Sequence, residues 1–189
     1  MFLSVNHIVT RLNIIMKKVS LSKQGARSML VKIITIVLLS TSLKLAALDI
    51  GQLAPDFTLK NTQGINLNLA EQRGQIIVIN FWASWCGPCR KEMPILQTFH
   101  QKYQSLGVSV WGVNVEQENQ AGQDFLADLD LSFPIFFDSS NKISANYQVE
   151  AMPTTVIVDR GGKVRYVFRG YKDGYEKKYA KAIKKLIRE

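Results

Sequence analysis

The 189-residue chain is 47% hydrophobic and 21% charged, and reads as one globular domain with an extension. Its formal charge of +9 does not mark a nucleic-acid binder, because residues 1–47 carry seven Lys or Arg and no acid, while residues 48–189 carry 17 basic and 15 acidic residues and net only +2. The high charge belongs to a basic targeting segment, and no nucleic-acid partner is expected.

Residues 1–47 form the predicted leader. Scattered cations precede an apolar run from Ile33 to Leu39 that trails to Leu43, followed by Ala46 and Ala47, the order found in a secretory signal. Cleavage after Ala47 would place Leu45 at the position where a small residue is preferred. The run is also shorter than the roughly 20 apolar residues that span a bilayer. A cleaved signal and a retained anchor, with membrane association through residues 29–48, therefore both remain open. Met16-Lys17-Lys18 resembles a signal start more closely than Met1 does.

Residues 48–189 alternate strand-like and helix-like stretches, the pattern of an α/β domain. Asp56–Leu59 and Ile65–Leu69 flank Asn61–Gly64 and predict a hairpin. Gln75–Phe81 contains the apolar run Ile76-Ile77-Val78-Ile79, as in a central strand covered on both faces. Met93, Leu96, Phe99, Tyr103 and Leu106 recur at helical spacing, so residues 87–105 form a helix with one buried stripe, which Pro94 should kink. Further on, strands are predicted at Val108–Val115, Ile135–Asp138, Thr154–Val158 and Lys163–Phe168, the last two paired across Asp159–Gly162. Helices are predicted at Gln120–Leu131, at Lys142–Tyr147 and from Tyr175 onward. The last carries Lys177, Lys178, Lys181, Lys184, Lys185 and Arg188 opposite Tyr179, Ala182, Ile183 and Leu186, so these cations read as its solvated face.

The only two cysteines, Cys86 and Cys89, stand at a strand-to-helix junction separated by Gly87 and Pro88. A right-handed crossover places such a junction at the carboxyl edge of the sheet, where open α/β sheets carry their sites. Free N–H groups and the positive end of the helix dipole favour a thiolate at Cys86, below the free value of about 8.5. That thiolate would attack a disulfide, and Cys89, one turn on, would resolve the mixed disulfide. A structural disulfide is a poor alternative, since so short a loop constrains the unfolded chain little. Zinc is another, but the only histidines, His7 and His100, do not complete a ligand set. Neither metal nor cofactor is expected.

Phe81-Trp82-Ala83-Ser84-Trp85-Cys86-Gly87-Pro88-Cys89-Arg90-Lys91-Glu92-Met93-Pro94 resembles the active-site stretch of thioredoxin-like proteins, in particular the TlpA-like and ResA-like extracytoplasmic branch. Gly51–Phe57 is similar to the entry that this branch shares with peroxiredoxins, and Ala151-Met152-Pro153-Thr154-Thr155 resembles the cis-proline loop facing the cysteines. The resemblance implies a thioredoxin-like fold with a mixed central sheet and an N-terminal hairpin extension. It also implies Cys86 as nucleophile, Cys89 as resolving thiol and Pro153 as a cis-proline. Trp85, Gly87, Pro88, Met152 and Pro153 become candidate client-binding residues, and Trp85 is expected to be partly exposed. The buried Asp of cytoplasmic thioredoxins is replaced by Asn80, and Glu92 resembles the active-site Glu of the ResA-like branch. Glu92 is therefore either a general base for Cys89 or a solvated helix residue beside Arg90 and Lys91.

The function implied is reduction of protein disulfides outside the cytoplasm, with cytochrome c apoprotein as one client class and a membrane thiol transporter as electron donor. Oxidation or isomerisation of secreted proteins would use the same atoms. A peroxiredoxin-like peroxidase is suggested by the entry sequence, but Ala83 stands where that chemistry expects Thr. A non-catalytic client-binding adaptor is the remaining alternative.

Overall fold

The computed structural model describes residues 48–189. The expectations for the leader, its start and its membrane association lie outside the described residues. Chain order is β1 (Thr58–Lys60), β2 (Asn66–Asn68), β3 (Ile76–Trp82), α1 (Gly87–Tyr103), β4 (Val108–Asn114), α2 (Asn119–Ala127), β5 (Ile135–Phe137), α3 (Lys142–Asn146), β6 (Thr154–Val158), β7 (Val164–Arg169) and α4 (Tyr175–Ile187).

Strand β3 is buried at every position, as its unbroken apolar run requires. It lies at the centre of a five-stranded sheet of order β5-β4-β3-β6-β7. Strands β3, β4 and β5 run parallel, whereas β6 is antiparallel to β3 and β7 antiparallel to β6. Alternation along β3 sends its side chains into two cores. Ile76, Val78 and Trp82 join Met93 and Leu96 of α1, Phe125 of α2 and Tyr179, Ile183 and Leu186 of α4. Ile77, Ile79 and Phe81 join Phe57, Leu69, Ile143 and Tyr147 on the opposite face. The mixed, doubly covered sheet expected from the sequence is present.

The hairpin β1–β2 pairs Thr58 with Asn68 and Lys60 with Asn66. It reaches the outer sheet strand β5 through an Asn61–Phe136 bridge and a Thr62 N–H donating to the Ile135 carbonyl at 2.9 Å. The segment before it is held at the other side of the sheet, where Gly51 N–H donates to Val164 O at 2.7 Å.

Most boundaries fall within two residues of the sequence expectation, and three differences have a visible structural context. Helix α1, with Pro94 inside it, ends at Tyr103 rather than residue 105 and passes into a tight turn at Gln104–Leu106, stopped by Gly107 in the left-handed region at φ 78°. Helix α2 stops at Ala127 rather than Leu131. Beyond it, Gln97 on α1 captures Ser132, donating to its Oγ at 2.9 Å and accepting from its backbone N–H at 3.0 Å. This draws the chain out of helical register while Leu129 and Leu131 still pack on the core. Strand β7 starts one residue late, at Val164, where the β6 pairing shifts register. The cationic residues of α4 are exposed, as its periodicity predicted.

Because β3 is packed on both faces, truncating it should be costly. Ile79→Ala is expected to lower the unfolding free energy by about 2–5 kcal/mol. Leu106→Ala, at a half-exposed position, should change it by less than about 0.5 kcal/mol. Paired urea titrations with equal slopes check both.

Candidate active site

The carboxyl end of β3 runs through Ala83, Ser84 and Trp85 into Cys86, which caps α1 in an extended conformation. Gly87 and Pro88 fill the first helical positions, where the missing N–H of proline leaves nothing unpaired. Cys86 and Cys89 are joined by a disulfide with their Cα atoms 5.3 Å apart. The Cys86 Sγ also accepts the Cys89 backbone N–H at 3.2 Å, so a helix-end donor is aimed at the Cys86 sulfur. Exposure separates the pair: Cys86 retains 4% and Cys89 none.

Outside Cys86 lies an open groove of about 420 Å³ lined by Trp85, Cys86, Gly87 and Pro88 on one side and Val149, Glu150, Ala151 and Met152 on the other. Trp85 stands at its rim, 70% exposed. The fold thus brings together four of the five predicted client-binding residues. Pro153 follows a cis Met152–Pro153 bond as expected, but it is buried and not part of the groove lining. Its carbonyl accepts the Gly170 N–H at 2.7 Å, which ties the loop to the end of β7.

Glu92 corrects one of the two sequence readings. It has no exposed surface, so it is not a solvated helix residue. The helical repeat turns it away from Arg90 and Lys91 and toward the sheet, where Asn80, on the same face of β3 as Val78 and Trp82, donates to Oε2 at 2.9 Å. Thr155 of β6 and Tyr179 of α4 donate to Oε1 at 2.9 and 2.7 Å. Asn80 donates as well to the Thr155 hydroxyl at 2.9 Å. Burial pushes the Glu92 carboxyl above its usual range, and the three donors offset that only in part. A carboxyl poised in this way can take up a proton. Its protonated Oε2 would need an acceptor, and a half-turn of the Asn80 amide would present Oδ1, which has no hydrogen-bond partner among the described residues. The described residues include no His, Cys, Asp and Glu cluster able to hold a metal.

A family model described as AhpC/TSA matches residues 50–167. The chain belongs to that family. It is 36% identical over 124 residues to a thiol-disulfide oxidoreductase ResA of Geobacillus thermodenitrificans, an overlap covering 66% of this chain and 71% of that one. It is also 33% identical over 120 residues to ResA of Bacillus subtilis, covering 64% and 67%. A crystal structure of a putative thiol:disulfide interchange protein DsbE from Chlorobium tepidum aligns over 75% of this chain and 99% of that one, with a TM-score of 0.72 and 33% identity. With its cysteine pair at disulfide distance, this family member is a thiol–disulfide oxidoreductase of thioredoxin fold.

A different carboxylate holds the cysteine turn of this oxidoreductase, and the sequence reading missed it. Glu116, just past β4, accepts from the Ser84 backbone N–H at 2.7 Å, the Ser84 hydroxyl at 2.6 Å and Asn114 Nδ2 at 2.8 Å. The Asn114 amide is confined in turn, since a Cβ on Gly122 would approach its Nδ2 to 2.9 Å. Partial burial pushes the Glu116 carboxyl up, but these donors outweigh it and hold the group below the usual 4.5. Thr155 and Tyr179 were also missed. Their signals were a hydroxyl inside the apolar run of β6 and a phenol on the buried stripe of α4.

Glu116→Gln puts an amide N–H₂ among donors and should cost roughly 1–2 kcal/mol near neutral pH, less than a fully buried charged bond because the site is half-exposed. The folded pKa is depressed, so this contribution is present above the unfolded value of 4.5 and lost as pH falls through the lower folded value. The stability gap between wild type and variant, measured by denaturant titration, should therefore close on acidification below about pH 5.

Proposed function

We propose that this oxidoreductase reduces disulfides of protein clients outside the cytoplasm, with Cys86 as nucleophile, Cys89 as resolving thiol and Glu92 as proton acceptor. The observation that carries the reading is the asymmetry of the pair: Cys86 caps the helix at the floor of an open groove, whereas Cys89 is sealed beneath it. In the reduced enzyme the Cys86 thiolate attacks one sulfur of a client disulfide held along Trp85 and Met152. A new S–S bond forms, the client S–S bond breaks, and the departing client thiolate takes a proton. Cys89 then gives its proton to Glu92 and attacks the Cys86 sulfur. This releases the second client sulfur as a thiolate, which takes up a proton, and leaves the Cys86–Cys89 disulfide, two electrons having passed to the client.

Regeneration needs a dithiol donor, and a membrane thiol transporter suits an enzyme working where free reductant is scarce. The basic, then apolar, leader supports export. Among residues 48–189 no helix is long and apolar enough to cross a membrane, so attachment would rest on the leader. Cytochrome c apoprotein thiols are one client class within this reading. Oxidation or isomerisation would use the same sulfurs, and the reduction potential of the pair separates them from reduction.

The protein should accelerate insulin reduction by dithiothreitol, and Cys86→Ser should abolish this. Iodoacetamide at neutral pH should label Cys86 of the reduced protein before Cys89, and the reverse order would exchange their roles. Cys89→Ser should accumulate mixed disulfides with clients in extracts, and free Cys86 in that variant would count against client exchange.

Residues 1–48 fused to a reporter active only outside the cytoplasm should give signal. Stable but silent fusion protein in the cytoplasm would refute the location. Carbonate washing of membranes then separates an anchored product from a cleaved one.

A further inference from the structure

We propose that Tyr179, on the C-terminal helix α4, is a positioning residue that sets the proton affinity of Glu92 and thereby the rate at which Cys89 resolves a mixed disulfide. The inference rests on the reading of Glu92 as proton acceptor.

Tyr179 occupies a position where packing alone would be served by Phe. It is fully buried on the apolar stripe with Ala182, Ile183 and Leu186. Its ring meets Phe168 edge-on at 4.7 Å and Tyr175 at 6.1 Å, contacts that fix where the hydroxyl points. That hydroxyl donates to Glu92 Oε1 at 2.7 Å, the shortest of the three bonds to the carboxylate.

The donors on Glu92 are not equivalent. Thr155 accepts from Asn80 while donating to Glu92, so those two support each other across β3 and β6. Tyr179 reaches the carboxylate from a helix that carries no cysteine, and its hydroxyl also meets that of Thr155. Among the described residues no Lys, Arg or His pairs with Glu92. The groups facing it are Asn80 from β3, Thr155 from β6, Tyr179 from α4 and, at longer range, the Tyr171 phenol before α4. On its own helix Cys89 is one turn back, and Arg90 and Lys91 are exposed. Neutral donors therefore carry the whole burden of stabilising a buried anion, and a hydrogen bond to a charged group in such surroundings is among the strongest available. The Tyr179 phenol is itself held well above its ordinary range by burial and by Glu92, so it stays protonated and remains a donor while Glu92 titrates.

Removing this donor favours protonated Glu92. Across the range in which Glu92 titrates, fewer molecules then hold a free base for the Cys89 proton, and resolution slows on the acid side of its pH profile. The test mixes the reduced full-length protein with an aromatic disulfide whose thiolate absorbs visible light. The first release reports attack by Cys86 and the second reports resolution by Cys89. Tyr179→Phe is expected to move the acid limb of the second phase upward by about one pH unit, roughly a tenfold slowing on that limb, with the first phase unchanged. Glu92→Gln should remove the limb, and the double variant should match Glu92→Gln alone.

Should Glu92→Gln retain the wild-type limb, the reading of Glu92 fails. Loss of the limb in Glu92→Gln with a superimposable wild-type profile in Tyr179→Phe overturns the role of Tyr179. A Tyr179→Phe shift that persists in the Glu92→Gln background does the same, because the effect would not pass through Glu92. Infrared titration of the wild type covers the case in which Tyr179→Phe folds poorly. The carboxyl band that Glu92→Gln abolishes should titrate together with a tyrosine C–O band, and a tyrosine band silent across that titration refutes the proposal.

Discussion

A single buried carboxylate constrains how this domain is assembled. Moving an ionised carboxyl out of water is expensive unless donors replace the water, and Glu92 sits where α1, the sheet and α4 meet. Its donors come from β3, β6 and α4, so the strands next to the cysteines and the last helix must all be in place before the charge is satisfied. The same requirement explains a polar residue at each of Asn80, Thr155 and Tyr179, in positions otherwise occupied by core side chains. Asp in place of Asn80 would set a second acid at 2.9 Å from Glu92, and like charges that close cannot both ionise.

Two carboxylates near the cysteine turn are tuned in opposite directions. Glu116 is half-exposed and surrounded by donors, so it stays ionised and holds Ser84 by backbone and side chain. Glu92 is buried, and its proton affinity is raised. One anchors the loop that carries Trp85 and Cys86, and the other is the group proposed above to exchange a proton with Cys89. In the proposed cycle, separating anchoring from proton transfer lets the loop keep its shape while charge appears and disappears one helical turn away.

The groove over Cys86 fits this division. Its walls come from the start of α1 and from the loop before β6, both attached to central strands, so the surface proposed for clients is preformed. Pro153 is buried behind this wall and bonded to Gly170, whereas Met152 is partly buried in the groove lining and Trp85 is exposed at its rim.

The sequence by itself determined the fold class, the central place of β3 and the identity of the cysteine pair. Each is a local or periodic property: an apolar run too long to be half-solvated, a helical stripe after it, and two thiols at the junction. Element boundaries shifted where a distant partner intervened, as when Gln97 captured Ser132 and ended α2 early. The surroundings of Glu92 were beyond local reading, because a helical Glu next to Arg90 and Lys91 has the same pattern whether it faces water or the core. Only tertiary structure decided between them, since the donors that make burial tolerable lie 12, 63 and 87 residues away along the chain. Glu116 was hidden for the same reason: its partner Ser84 is 32 residues distant, and the parallel pairing of β3 with β4 is what brings the two strand ends together.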